Sequence, residues 1–330
     1  MSKKKPINLT QGARLAEKIR YVDLKERHVE AVTVHGGRFH ADDVCCVALC
    51  QLIQPSIKVV RTRDPDEYEG LCCDVGGGRY DHHPKQGEKK ETRKNGVYYA
   101  AFGKLWRDIG MTFCKERFGK NNARTIMMYF DKYFIETIDA KDNGLFGYKG
   151  YPRTIPMLDV DIFNKLAVEE TEAKCFDNAV EVAKISILHA LNVCERYILQ
   201  DAADKKAEQI VKSAVANMID GVLILPQQCN WEKAASALGK SCLMVVLPEK
   251  NGYVAYGVPN DGPGSIRRCY FPKEWAVGTD AAKASGIPQM AFCYNPSGFM
   301  AAFRGCGAKE AAIKACRMAI AKRQGEQFVV

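Results

Sequence analysis

No Cys-x-x-Cys pair occurs among the 14 cysteines of this sequence, and only six of its 330 residues are histidine. Cys45-Cys46 and Cys72-Cys73 are adjacent pairs, a spacing poor for disulfides and for zinc clips, and the other cysteines are scattered among apolar residues. This spacing argues against a disulfide framework and a structural zinc module. The cysteines read instead as small core residues in a reducing compartment. No run approaches the ~18 uninterrupted apolar residues of a membrane-spanning helix. The opening MSKKKPINLTQGARLAEKIR holds no apolar segment of the kind found in a secretory signal. It is basic and lacks acid before Glu17, which fits an intracellular protein of the cytoplasm or nucleus and leaves a mitochondrial presequence open. There is no low-complexity tract and no internal repeat.

What is present suffices for two cores. The chain is 47% hydrophobic and 26% charged, ordinary for a globular protein of this length. Its formal net charge of +9 suits a polyanionic partner, because lysine and arginine raise the local concentration of phosphates.

The pattern predicts an α/β protein. Residues 1–28 read as a polar arm. Ala31–Val34 is a β-rich run ending at His35-Gly36-Gly37, and a helix follows from about Asp42 to Ile53. Ile57–Arg61 and Leu71–Asp74 are further strands, the last stopped by Gly76-Gly77-Gly78. Strands alternating with helices imply a parallel sheet with helices on its faces, over residues 29–164. Helices are predicted at 96–110 and 122–140, after a charged loop at 84–95. Residues 165–220 hold neither proline nor glycine and read as a long helical bridge. From 221 to 330, strand-like runs at Val222–Leu225, Cys242–Leu247, Tyr253–Gly257 and Met290–Tyr294 precede a helix from Lys309 to Lys322. That is a second, smaller α/β domain.

Four of the histidines fall in two short segments that each follow a predicted strand. The first is His35-Gly-Gly-Arg-Phe-His40-Ala-Asp42-Asp43, at the carboxyl end of strand one, where open parallel sheets bind ligands. His40 and Asp42 are two apart across a turn and can face one ion; Asp43 is better placed to cap the helix. The second is Tyr80-Asp81-His82-His83. Between them Asp74, at a strand end before three glycines, can bridge two cations. Asp139 or Asp142, in Asp-Ala-Lys-Asp-Asn-Gly144, can complete the shell. Imidazoles and carboxylates without thiolate suit Mn²⁺, with Mg²⁺ as competitor and Zn²⁺ or Fe²⁺ open. Two ions ~3.5–4 Å apart would activate water, hold a phosphate oxygen and stabilise the leaving oxygen.

At these residues the sequence resembles the DHH phosphoesterase superfamily and, within it, is most similar to the melanocyte-proliferating-gene exonuclease family. Arg61-Thr-Arg-Asp-Pro65, Asp74-Val-Gly-Gly77, Tyr80-Asp-His-His83 and Asp139-Ala-Lys-Asp-Asn-Gly144 match its ordered motifs. Pro272-Lys-Glu-Trp275, Ser285-Gly-Ile-Pro288 and Ser297-Gly-Phe299 continue the match, to roughly residues 31–322. The resemblance implies a DHH-type metal-binding lobe and a smaller substrate-binding lobe. It implies two divalent ions on His35, His40, Asp42, Asp74, Asp81, His82 and Asp139, with Asp81, His82 and His83 catalytic. His83, Arg268, Asn295, Ser297, Gly298 and Arg304 would contact substrate. The implied activity is 3′–5′ cleavage of RNA or short oligonucleotides, by a chain that could form a homodimer. The chain departs from the family at Gly36, where asparagine is usual, and at Asp43, where glutamate is. It departs again at Asn295 and at Met300-Ala-Ala-Phe303, where the family carries a histidine and a Gly-Gly-His-like run. Those later departures admit a small phosphorylated substrate, such as a dinucleotide, pyrophosphate or a nucleotide, or a non-catalytic nucleic-acid-binding relative. Lys85, Lys89, Lys90, Arg93 and Lys94 form a basic loop beside the second histidine pair.

Overall fold

A computed structural model describes residues 18–83, 89–150, 159–166, 171–276, 280–294 and 297–327. Most of the arm at 1–28, Lys85 and Asn295 lie outside them. The chain divides into two compact units, residues 1–198 and 199–330.

The first unit is built on a parallel sheet. Strand β1 (Ala31–Val34) lies between β2 (Lys58–Arg61) and β3 (Leu71–Cys72), pairing in parallel with each. All four residues of β1 are buried, as a central parallel strand covered on both faces requires. Helix α2 (Ala41–Ile53) leaves β1 through the loop 35–40 and is buried from Asp42 to Cys50; it follows the short α1 (Tyr21–Lys25) that carries Leu24 into the core. Helices α3 (Ala101–Phe118) and α4 (Lys120–Phe130) pack together, and a π-helical stretch, Asp131–Ile135, leads into α5 (Glu136–Asp142). Trp106, Phe102, Phe130 and Phe134 fill this core. The short α6 (Asp161–Leu166) follows. The parallel sheet flanked by helices is the α/β class expected from the strand–helix alternation.

The bridge predicted at 165–220 contains one helix, α7 (Glu172–Ala214). It is more than a linker. Cys175, Phe176, Ala179, Ala183, Ile187, Ala190 and Cys194 belong to the core of the first unit, and Val211 and Ala214 to a core of the second. Buried positions three or four apart put one face of the helix into the core.

The second unit holds a five-stranded mixed sheet in the order β4 (Val222–Ile224), β5 (Met244–Glu249), β6 (Gly252–Gly257), β8 (Met300–Arg304), β7 (Met290–Cys293). Only β4 and β5 run parallel. Helix α8 (Trp231–Ser236) joins the core on one face. Short helices α9 (Lys273–Ala276) and α10 (Ala281–Ser285), with the terminal α11 (Ala308–Gln327), build the core of the other. Twelve of the fourteen cysteines are buried and all are free thiols, which fits their reading as core residues. Among the described residues no helix is long and apolar enough to cross a membrane.

Candidate metal centre

The carboxyl ends of β1 and β3, the start of α2, the loop 81–83 and the end of α5 converge on one cluster. His35 leaves the end of β1, and its Nε2 lies 3.4 Å from Asp43 Oδ2 and 3.3 Å from Asp74 Oδ2. Asp74 follows β3 with a positive φ of 59°, a left-handed conformation uncommon outside glycine, and it turns its carboxylate into the cluster. Its Oδ1 stands 2.9 Å from His82 Nε2 and 3.4 Å from His83 Nδ1. His82 Nε2 also lies 2.9 Å from Asp142 Oδ2 and 3.9 Å from Asp42 Oδ2. His40 Nδ1 is 3.7 Å from Asp142 Oδ1. Three overlapping triads, His35–His40–Asp74, Asp74–His82–His83 and His40–Asp42–Asp142, each present ligand atoms within 4.8 Å of one another.

Local sequence explains the placement. Asp42 and Asp43 occupy the first turn of α2, where the helix dipole favours negative charge. Asp43 also caps: its Oδ1 accepts from the His40 and Val44 amides at 2.9 and 2.7 Å. Asp42 Oδ2 accepts from the Ala101 amide at the start of α3. The loop before α2 is clamped by side chains that nothing in the local sequence announced. Asn164 both donates to and accepts from the backbone of Phe39, at 2.7 and 3.1 Å. Arg63 reaches Gly36 O at 3.1 Å and His35 Nδ1 at 3.3 Å, and Arg61 donates to Gly37 O. Tyr80 anchors the second histidine segment, its hydroxyl donating to Asp108 and accepting from the Ile19 amide.

Several expected site residues have other partners. Asp81 lies beside the cluster but outside the triads; its oxygens accept from the amides of Gly77 and His83 and from the His83 ring at 2.8 Å. Asp139 is fully buried one turn before Asp142 and pairs with Arg93 at 2.7 Å, so of the two alternatives in that segment Asp142 is the one at the imidazoles. Arg93 was expected in a solvated basic loop. It is buried instead, because Asp131 and Asp139 neutralise it. In the second unit the Arg268 guanidinium donates to four main-chain carbonyls, of Gly239, Cys242, Ser236 and Asn260, at 2.5–3.1 Å. Arg268 and Ser297 line one surface cavity of about 790 Å³ with Lys273 and Lys322. Arg304 pairs with Glu249 at 2.6 Å. Gly298 has φ 66°, and a Cβ there would stand 2.5 Å from Phe271 O, so its need for glycine is conformational.

The electrostatics of the cluster are those of acid in excess. Burial, then the neighbouring Asp74 and Asp142, pushes the Asp42 carboxyl well above the carboxylate range. Burial pushes Asp43 up to about 7. Burial opposes ionisation of Asp74 too, but hydrogen bonds from His35 and His82 hold its pKa low. Against burial, Asp142 and Asp74 raise His82 to about 10. Asp42 Oδ1 and Asp43 Oδ2 are buried without a hydrogen-bond partner among the described residues. Buried, unsatisfied carboxylate oxygens beside imidazoles fit divalent cations, which supply the missing positive charge.

Fold and site thus define an α/β protein with a histidine–aspartate cluster, fit for divalent cations, at the strand ends of a parallel sheet. Residues 31–320 match the MYG1 exonuclease family, described as Uncharacterised protein family (UPF0160), and the chain belongs to that family. It is 27% identical over 276 residues to the MYG1 protein of Chlamydia trachomatis, covering 80% of this chain and 89% of the relative. It is 24% identical over 342 residues to the MYG1 exonuclease of Homo sapiens, covering 88% and 86%. Among solved structures, RecJ in complex with Mg²⁺ from Thermus thermophilus matches 90% of this chain and 52% of that chain, at 13% identity and a TM-score of 0.25.

Proposed function

We propose that this chain is a divalent-metal-dependent phosphodiesterase that removes nucleotides from the end of a nucleic acid, with RNA cut 3′ to 5′ as the favoured substrate. The observation that carries the reading is the convergence of Asp42, Asp74 and Asp142 on His35, His40 and His82, with Asp42 Oδ1 and Asp43 Oδ2 buried and without a hydrogen-bond partner among the described residues. These six residues, with Asp43 at the edge, would hold two ions, Mn²⁺ ahead of Mg²⁺ for a mixed imidazole–carboxylate set. Bound there, the ions would activate water and neutralise charge on the phosphate. The chain's own groups do the rest. Asp81 holds the His83 ring through Nδ1, and with the ring protonated its Nε2–H would meet a substrate phosphate or give a proton to the leaving oxygen. Asp74 orients His35 and His82 together. In the second unit Phe292 and Tyr294, at the edge strand, are 45% and 41% exposed with ring centroids 6.3 Å apart. Exposed rings of this kind stack unpaired bases, which supports a polynucleotide over pyrophosphate.

Replacing Asp74 by Asn tests the reading. Hydrolysis of a 3′-labelled single-stranded RNA with Mn²⁺ is expected to fall at least ~100-fold, with the far-ultraviolet circular dichroism spectrum unchanged. Full activity in a folded Asp74→Asn protein would exclude this cluster as the catalytic centre. Running RNA, dinucleotides and pyrophosphate in parallel separates exonuclease from small-substrate hydrolase.

A further inference from the structure

Beside the cluster, on the outer side of His82 and His83, lies a cavity of about 350 Å³ whose walls include Gly77, Lys89, Lys90 and Lys104. Lys104, from the first turn of α3, is buried, its exposure being 9%. Its ammonium donates to the main-chain oxygen of Asp81 at 2.7 Å. Among the described residues no carboxylate lies within ion-pair distance of it. The neighbouring acid Glu91 is held by Arg107 at 2.6 Å, and the neighbouring cation Arg79 is itself neutralised by Asp108. The ammonium has this one main-chain acceptor and lines the cavity, so its other two N–H groups are left to meet an anion there. Lys89 and Lys90 are exposed on the same wall, and Lys90 is steadied by Asn143 at 2.9 Å and by the Tyr98 ring.

We propose that this cavity is an anion subsite in which Lys104, with Lys89 and Lys90, holds a second phosphate of the substrate, next to the one engaged at the histidine–aspartate cluster. The inference rests on the phosphodiesterase reading and adds to it a substrate class: phosphodiesters that carry a further phosphate beside the bond being cut. Three observations converge on it. The cavity shares His82 and His83 with the cluster, so its occupant would adjoin the scissile phosphate. Its cations exceed its free acids. A phosphate oxygen would also meet the deficit in hydrogen-bond acceptors around Lys104.

The test compares two dinucleotides that differ by one phosphate, diuridine monophosphate (UpU) and its 5′-phosphorylated form (pUpU), on the full-length Mn²⁺-loaded protein. Lys104→Met keeps the aliphatic stem and removes the charge. It is expected to raise the KM for pUpU at least fivefold more than the KM for UpU, and Lys104→Arg is expected to restore most of the difference. An equal rise for both dinucleotides overturns the subsite, since Lys104 would then only hold the 81–83 loop through Asp81 O; no change in either also overturns it. If the wild type cleaves neither dinucleotide, the phosphodiesterase reading fails on these substrates, and calorimetric binding of the same two probes decides the subsite separately. Tighter wild-type binding of pUpU that is lost in Lys104→Met supports it, and equal binding of the two by wild type overturns it. Should Lys104→Met fail to fold, the Lys89→Gln, Lys90→Gln double variant takes its place. A pUpU-selective rise in KM of at least threefold is expected, and its absence overturns the proposal.

Discussion

Residues of one type do different work here according to what they face. Asp139 and Asp142 share a helix, and the motif Asp-Ala-Lys-Asp-Asn-Gly offers both as ligands. Arg93 claims Asp139, while Asp142 meets His40 and His82. Arg268 is a parallel case. An arginine in a family motif suggests phosphate binding, yet its four terminal N–H groups are committed to carbonyls of the turns around residues 236–260. Replacing it orphans those carbonyls. Arg268→Ala is therefore expected to cost about 2–4 kcal/mol of stability, since hydrogen bonds to a charged group are worth ~1.5–3 kcal/mol each and part of the loss is recovered by water. Urea denaturation followed by tryptophan fluorescence measures this. A variant of unchanged midpoint whose KM for RNA has risen would return Arg268 to the role of phosphate ligand.

Helix α3 is the element on which the first unit's site leans. It offers its first amide to Asp42, sends Lys104 to the 81–83 loop and ties Tyr80 through Asp108. Gly103 lies within it for a reason of space. A Cβ there would come within 2.0 Å of Asp139 Oδ2 and 2.9 Å of Arg93 Nη2. Gly103→Ala would gain about 1 kcal/mol of helix propensity on an open helix. Here the clash with a buried ion pair outweighs the gain, and a net loss of about 1–3 kcal/mol is expected by the same denaturation measurement. A rise in stability would show that the pair yields freely. Asp108 supplies the pH-dependent anchor. Against burial, hydrogen bonds from Arg79, Tyr80 and Lys18 hold its pKa below the ordinary carboxylate range. A carboxylate depressed in the folded state contributes stability above its unfolded pKa of about 3.9, and that stability is lost as pH falls through the folded value. Asp108→Asn is thus expected to lower thermal stability at pH 7 and to differ progressively less from wild type below about pH 4. A gap that persists undiminished to about pH 2 would mean that charge is not what Asp108 contributes.

How much of this was legible follows from which forces leave local traces. Strand β1 was readable to the residue, because a short β-branched run ending at glycines has few alternatives. The start of α3 was not. Val97-Tyr-Tyr-Ala100 reads as the first turn of a helix from 96, whereas a turn at Gly96 with a Thr92–Tyr98 bridge takes the chain to Ala101 first. Strand β8 was missed, since Met-Ala-Ala-Phe-Arg has weak strand propensity and owes its conformation to pairing with β6 and β7. At the site, the histidines and most of the aspartates were visible as ligand types after strands. Asn164, Arg63 and Lys104 were not, because their roles depend on partners 125, 28 and 23 positions away.

At the scale of the whole molecule, the net charge of +9 becomes a statement about substrate length. A strand running over basic side chains displaces counterions in proportion to the phosphates it neutralises, with a slope of about −0.7 per phosphate for single strands. If three phosphates are engaged at once, raising salt fourfold, from 50 to 200 mM, is expected to lower kcat/KM for a twelve-nucleotide RNA about 20-fold. A small diester such as bis(p-nitrophenyl) phosphate carries one charge and reaches only the cluster, so its kcat/KM should change less than about twofold over the same range. The comparison separates the two substrate classes without assuming where the strand lies. A steep dependence for RNA beside a flat one for the diester requires contacts beyond the scissile phosphate, of the kind Lys89, Lys90 and Lys104 can make. Equal and shallow dependence for both would confine recognition to the histidine–aspartate cluster, and it would favour a small phosphorylated substrate over a polynucleotide.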